Sequence, residues 1–164
     1  MNLHLDTAYR ELHRVGGWIN NADTKANILL ALNGGLLTLF VSNKDSLLPS
    51  YPIDCSDLCL AALLAFLFSV AVSTYSALRV LWPDVKPKSS KKLFFFGTTS
   101  AMTPEDYATQ FRTLTEDSMT AEVLDQVHVN SRIAANKFWY LTLSVKTLGL
   151  ALAMLFVLIT LNVL

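Results

Sequence analysis

Arg10, Arg14, Trp18, Asn21 and Lys25 follow one another at intervals of 4, 4, 3 and 4 residues, so on a helix three cations and one aromatic ring share a face. Two readings fit it. It is a solvated flank with an interfacial Trp and a snorkelling lysine, or a site for an anion, where Arg grips a phosphate bidentately and Lys acts as a point charge. Gln126, Asn130 and Lys137 share a second face at intervals of 4 and 7, and Arg132 adds a positive charge nearby. The same pair of readings applies there. Nothing points to catalysis: no Ser/His/Asp set, no paired carboxylates with a plausible cleft and no glycine-rich phosphate loop is present. His4, His13 and His128 lack partners at ligand spacing, so neither a metal nor a cofactor is expected.

A second kind of chemistry lies in the apolar parts of the chain, where polar residues recur without charge. Asn27, Ala31, Gly34, Thr38 and Val41 stand at intervals of 4, 3, 4 and 3, and Ala62, Ala65, Ser69, Ser73 and Ser76 form a similar stripe. Hydrocarbon offers no water to satisfy such groups. Each stripe therefore packs against another helix of the same protomer or lines a water-filled pore between protomers. On the pore reading the lining residues are Asn27, Gly34, Thr38, Ser69, Ser73 and Lys146. A lysine at a bilayer's centre costs about 2.5 to 3.5 kcal/mol on insertion scales. Lys146 either snorkels to the interface from the start of its span or contacts ions near the inner mouth of a channel. Three thin helices cannot enclose a conduit alone, so a pore demands a symmetric homo-oligomer, for which a tetramer is the starting guess.

The elements that must position these residues are three uncharged runs, Ala26 to Ser42, Leu58 to Leu78 and Thr147 to Leu164. The last has 18 residues, about 27 Å as a helix against the ~30 Å of a bilayer's hydrocarbon. Of the 164 residues 52% are hydrophobic, concentrated in these blocks, which leaves little for a soluble core. The expected fold is an all-α membrane protein: three transmembrane helices, an amphipathic N-terminal helix and a small helical cytoplasmic region, assembled as a homo-oligomer. Its expected parts are a cytoplasmic helix over 1–25, spans over 26–42, 57–82 and 139–164, an external loop over 43–56 and a cytoplasmic segment over 83–138. The 13 Lys and Arg balance the 13 Asp and Glu, but the cations crowd before the first run and between the second and third. Only Lys44 lies between the first and second runs, so the N-terminus and the middle segment are expected in the cytoplasm. The first run is not read as a signal peptide, since a long amphipathic stretch precedes it and no Ala-x-Ala-like site follows. Cys55 and Cys59 are expected to stay unlinked, because four residues apart on a helix suits a disulfide poorly.

Leu5, Ala8, Leu12, Val15 and Ile19 mark the apolar side of the N-terminal helix, which Gly16-Gly17 is expected to bend. Trp82-Pro83 ends the second span, and Lys86 to Lys92 form a basic linker suited to anionic headgroups. Leu93 to Gly97 form an apolar cluster too short to span, expected to dock on neighbouring helices. Thr103-Pro104-Glu105-Asp106 predicts a helix start, with an end near Leu114. Thr115 or Thr120 caps the next helix, which can run unbroken from Ala121 across the membrane.

The stretch from Trp18 to Gly35, with Ala22-Asp23-Thr24-Lys25-Ala26 at its centre, resembles the opening signature of the Pycsar-type transmembrane effectors. Leu93 to Gly97, Gln126 and Lys137-Phe138 are similar to later parts of that family's pattern, in order and spacing. The resemblance implies an anti-phage effector in the bacterial inner membrane, paired with a signal-synthesising enzyme encoded nearby. The implied signal is a cyclic pyrimidine mononucleotide; similar effectors of the Hailong type answer to an oligodeoxynucleotide. The implied outcome is depolarisation, with growth arrest or death of the cell; a non-conducting anchor for the partner enzyme is the alternative. On this resemblance Asp23 and Lys25 are the signature's charged pair, and Gln126 and Lys137 are later polar positions. Asp23 and Lys25 point to different sides of a helix, so each needs a partner elsewhere, with Lys137 expected for Asp23. A structural lock and a ligand contact are both open for these residues.

Overall fold

A computed structural model of the chain describes residues 3–43, 57–82, 93 and 96–163. Among these, secondary structure is wholly helical: α1 (Leu3–Ser42), α2 (Asp57–Leu81), the single turn α3 (Phe96–Thr99), α4 (Pro104–Arg112) and α5 (Glu116–Val163). Three of them, α1, α2 and α5, are long and apolar enough to cross a membrane. The loop beyond Asn43, expected to be external, together with Cys55, the lysine-rich linker after Trp82 and the Phe94-Phe95 pair, lies outside the described residues. The chain divides into two units, Met1–Asn21 with Pro83–Ala135 and Ala22–Trp82 with Asn136–Leu164.

In the first unit the apolar side of α1 behaves as its spacing predicts. Leu5 and Ala8 are buried with Val123 of α5, and Leu12 and Met119 pack against them. Gly16-Gly17 does not interrupt the helix, which runs continuously from Leu3 to Ser42. A glycine pair weakens a helix by roughly 1 kcal/mol per residue, an amount that neighbouring turns can offset. α4 starts where its capping residues place it: the Thr103 side chain accepts from the Asp106 amide at 3.2 Å, with Pro104 in the first helical turn. It ends at Arg112, two residues before the expected stop. Thr115, not Thr120, caps α5. Its hydroxyl accepts from the Ser118 amide at 3.2 Å and its own amide donates to Ser118 Oγ at 2.9 Å, a reciprocal box that satisfies two otherwise unpaired donors. Thr120 lies inside the helix and donates to the Glu116 carbonyl. Leu93 is buried, and its carbonyl accepts from Thr99 Oγ1 at 2.7 Å.

In the second unit α1, α2 and α5 share one apolar core. α1 contributes Ala22, Ala26, Leu29, Leu36 and Phe40; α2 contributes Cys59, Ala62, Phe66, Val70, Ala77 and Val80; α5 contributes Leu141, Leu148, Ala151 and Leu158. On α1 the buried positions, with Asn33 among them, fall at alternating intervals of 4 and 3, the repeat that keeps one face against a neighbouring helix. Alanines in this set allow backbones to approach closely, the main source of attraction between helices in lipid. The Phe40 and Phe66 rings close the core with centroids 5.0 Å apart.

Candidate functional site

Within the second unit one lysine gathers three helices. Lys137 Nζ donates to Asp23 Oδ1 at 2.5 Å and to the Val80 carbonyl at 2.6 Å. Lys137 is thus the expected partner of Asp23, joining α5 to α1. The second acceptor was not legible in the sequence. Val80 is the penultimate residue of α2, so its carbonyl has no partner further along the helix and carries the negative end of the helix dipole. A protonated lysine satisfies both the acid and the orphan carbonyl. Its side chain is 14% exposed and that of Asp23 34%, so the pair is neither fully screened by water nor fully desolvated. Beside it the Arg79 guanidinium lies over the Tyr140 ring, 5.3 Å from the centroid.

One helical heptad from this joint, about 10 Å along the axis, a second set of bonds ties the same three helices. Asn33 Nδ2 donates to Ser73 Oγ at 3.0 Å, and Ser73 Oγ contacts the Ser144 carbonyl and hydroxyl at 3.0 and 3.1 Å. Ser144 Oγ returns a bond to the Ser73 carbonyl at 2.9 Å. Asn33, Ser73 and Ser144 are almost completely inaccessible. Asn33 Oδ1 and Ser76 Oγ are buried there without a hydrogen-bond partner among the described residues. Ser144 and Asn33 were not among the expected site residues. The signal for Ser144 is register: it lies seven residues after Lys137, as Ser73 lies seven before Val80.

The pore-lining set divides. Ser69 and Ser73 sit in the core of the single chain, Ser69 donating to the Ala65 carbonyl of its own helix at 2.6 Å. Asn27, Gly34, Thr38 and Lys146 are on the outer surface of the second unit. The whole Asn27, Ala31, Gly34, Thr38, Val41 stripe is exposed, on a different side of α1 from the buried Ala22-to-Phe40 stripe. Packing within the protomer therefore describes the α2 stripe and not the α1 stripe. A Cβ built on Gly34 or Gly35 meets nothing within 4 Å.

The ligand set also divides. In the first unit Arg10 pairs with Asp6, whose hydrogen bond and charge raise the pKa of the guanidinium. Arg14 pairs with Glu11 at 2.5 Å and lies over the Trp18 ring at 5.3 Å from its centroid. Both arginines are exposed and held by acids of their own helix. Gln126 and Asn130 are half-buried on α5, and Arg132 is exposed. In the second unit Lys25 is exposed while Asp23 turns to Lys137. The structure therefore joins two pairs from this set, Asp23 with Lys137 and Arg14 with Trp18, and leaves Arg10, Lys25 and Arg132 exposed at the surface. No group of His, Cys, Asp or Glu among the described residues could hold a metal.

Three long apolar helices, bound to one another by buried polar contacts, define an integral membrane protein. Residues 7–164 match the Pycsar effector protein domain, and the chain belongs to that family, whose members are membrane effectors of antiviral defence. It is 23% identical over 156 residues to the Pycsar effector protein EcPycTM of Escherichia coli, covering 90% of this chain and 84% of that protein. No solved structure matches it.

Proposed function

We propose that the protein is a homo-oligomeric pore of the bacterial inner membrane, N-terminus cytoplasmic, that a nucleotide signal opens during phage infection. The signal is a cyclic pyrimidine mononucleotide made by a cyclase encoded nearby, and opening depolarises the membrane and arrests or kills the cell. The observation that carries this reading is the exposed α1 stripe. Asn27, Gly34 and Thr38 lie on the outside of an apolar helix whose other side already holds its core partners. Polar groups facing lipid are disfavoured, so this face suits contact with further copies and with water between them.

In this reading Asp23, Lys137 and the Val80 carbonyl form a lock within each protomer, and ligand contact falls to the exposed residues. Arg14 over Trp18 pairs a cation with an aromatic face, a combination suited to a phosphate and a stacked base. The signal opens the pore only by binding the open arrangement more tightly. Moving a population from 1:99 to 99:1 takes a preference of about 10⁴-fold.

The test is ion flux from liposomes containing the full-length protein, titrated with cyclic CMP, cyclic UMP and an oligodeoxynucleotide. Flux that rises with a cyclic pyrimidine nucleotide is the expected result. Flux only with the oligonucleotide replaces the signal, and none at any concentration leaves a non-conducting anchor. Arg14→Ala and Lys25→Ala are expected to abolish the response without stopping insertion; an unchanged response in both removes the anion site.

A further inference from the structure

The buried layer of Asn33, Ser73 and Ser144 has a fixed number of hydroxyl protons. Ser73 Oγ gives its one proton to the Ser144 carbonyl at 3.0 Å, and Ser144 Oγ gives its own to the Ser73 carbonyl at 2.9 Å. Neither hydroxyl has a proton left for Asn33. The 3.0 Å contact between Asn33 and Ser73 Oγ therefore has the amide nitrogen as donor, which fixes the way the amide faces. Asn33 Oδ1 is turned away from Ser73 and needs a donor from elsewhere. One turn further along α2, the Ser76 hydroxyl has its own proton uncommitted. Asn33 is 1% exposed and Ser76 0%, and neither Oδ1 nor Oγ has a hydrogen-bond partner among the described residues. Buried polar atoms of native proteins are satisfied in the great majority, and the hydrocarbon around a span offers no alternative partner.

Whatever completes both atoms must donate to a carbonyl oxygen and bond a hydroxyl, in a layer with no ionisable side chain of its own. Two oxygens fall far short of the six or more that a hard cation takes. Water, with two protons to give and two lone pairs, meets the requirement. Ser73 and Ser76 stand about 5 to 6 Å apart at Cβ, and a water bonded on two sides spans about 5.5 Å. Between Val70 and Val80 the buried residues of α2 are Ser73, Ser76 and Ala77, all small, which leaves volume at this level. We infer that a resident water joins Asn33 Oδ1 of α1 to Ser76 Oγ of α2. α1 enters this layer through Asn33 and holds it by one direct bond, whereas α2 and α5 share a reciprocal pair. The water is thus the second tether of α1. It belongs to the single chain, whether or not copies assemble.

The experiment measures magnetisation transfer from water by solid-state NMR on the full-length protein in phosphatidylcholine bilayers, together with its melting temperature in detergent. Transfer is expected to reach the Asn33 side-chain amide and Ser76 several-fold faster than Ser69, which is equally hidden but bonded to its own helix. Ser76→Ala is expected to slow transfer at Asn33 and to lower the melting temperature by about 2 to 4 °C, the worth of one hydrogen bond in a chain of this size. Transfer at Asn33 and Ser76 no faster than at Ser69 overturns the inference. So does a Ser76→Ala melting temperature equal to or above that of wild type, the result for a hydroxyl that bonds nothing. A wild type more stable in sodium chloride than in choline chloride, with Ser76→Ala indifferent to the exchange, assigns the site to a cation and also overturns it. Should Ser76→Ala fail to fold, the transfer in wild type decides alone.

Discussion

Ser69 and Ser73 are one turn apart on α2 and equally hidden, yet their hydroxyls have different work. Ser69 bonds back to its own helix, whereas Ser73 joins α1 and α5. Ser73→Ala is therefore expected to lower stability by about 1 kcal/mol, leaving Asn33 Nδ2 unpaired, while Ser69→Ala changes it little. Thermal unfolding in detergent measures both. For Asp23 and Lys137, a double-mutant cycle with Asp23→Asn and Lys137→Gln is expected to return a coupling of about 0.5 to 3 kcal/mol. A value of zero would make the contact ornamental. That Asp23 needed a distant cation was legible, because Lys25 stands on another side of the same helix. The Val80 carbonyl was not legible: a backbone oxygen is orphaned only by where a helix stops, which the residue type does not announce. Ser144 escaped notice because a lone serine in an apolar run carries no weight until its register with Lys137 is considered.

At the scale of the elements, α1 presents two interleaved stripes with the same 3-and-4 spacing, one inside and one out. Periodicity predicted the helix and its Asn27-to-Val41 stripe; the Ala22-to-Phe40 stripe that meets α2 and α5 was not singled out, since each mixes apolar with polar residues. Leu29, Leu36 and Phe40 face the core while Ala31 and Gly34 lie outside, yet bulk alone does not sort the two sides, since Ile28, Leu32 and Leu39 are exposed and Ala22 and Ala26 buried. Gly34→Leu should therefore preserve the fold of the single chain, where its Cβ meets nothing within 4 Å, yet reduce assembly of copies. Size-exclusion with light scattering in detergent reads this directly, and unchanged assembly would argue against α1 as the contact face. α4 has no buried residue, so its helicity depends on its caps. Thr103→Ala is expected to cost that helix about 1 kcal/mol and to accelerate amide exchange over residues 106–112 by several-fold.

For the whole molecule, the cations gathered at the N-terminus and after the second span predict that both face the cytoplasm. Reporter fusions at the N-terminus and within the 83–138 segment should be active only as cytoplasmic reporters; an active external fusion at either place reverses the topology. The three spans were evident from their missing charge alone, whereas the bonds holding them depend on depth, which composition does not encode. The joint at Lys137 has a genetic consequence. One of its two acceptors is main chain, so no substitution on α2 can delete that oxygen in the way that Asp23 can be deleted from α1. Loss of the acid leaves the lysine one tether, whereas loss of the lysine releases α1 and α2 at a stroke. Harm at position 137 should exceed harm at position 23, and second-site revertants of either should map to the first and last spans.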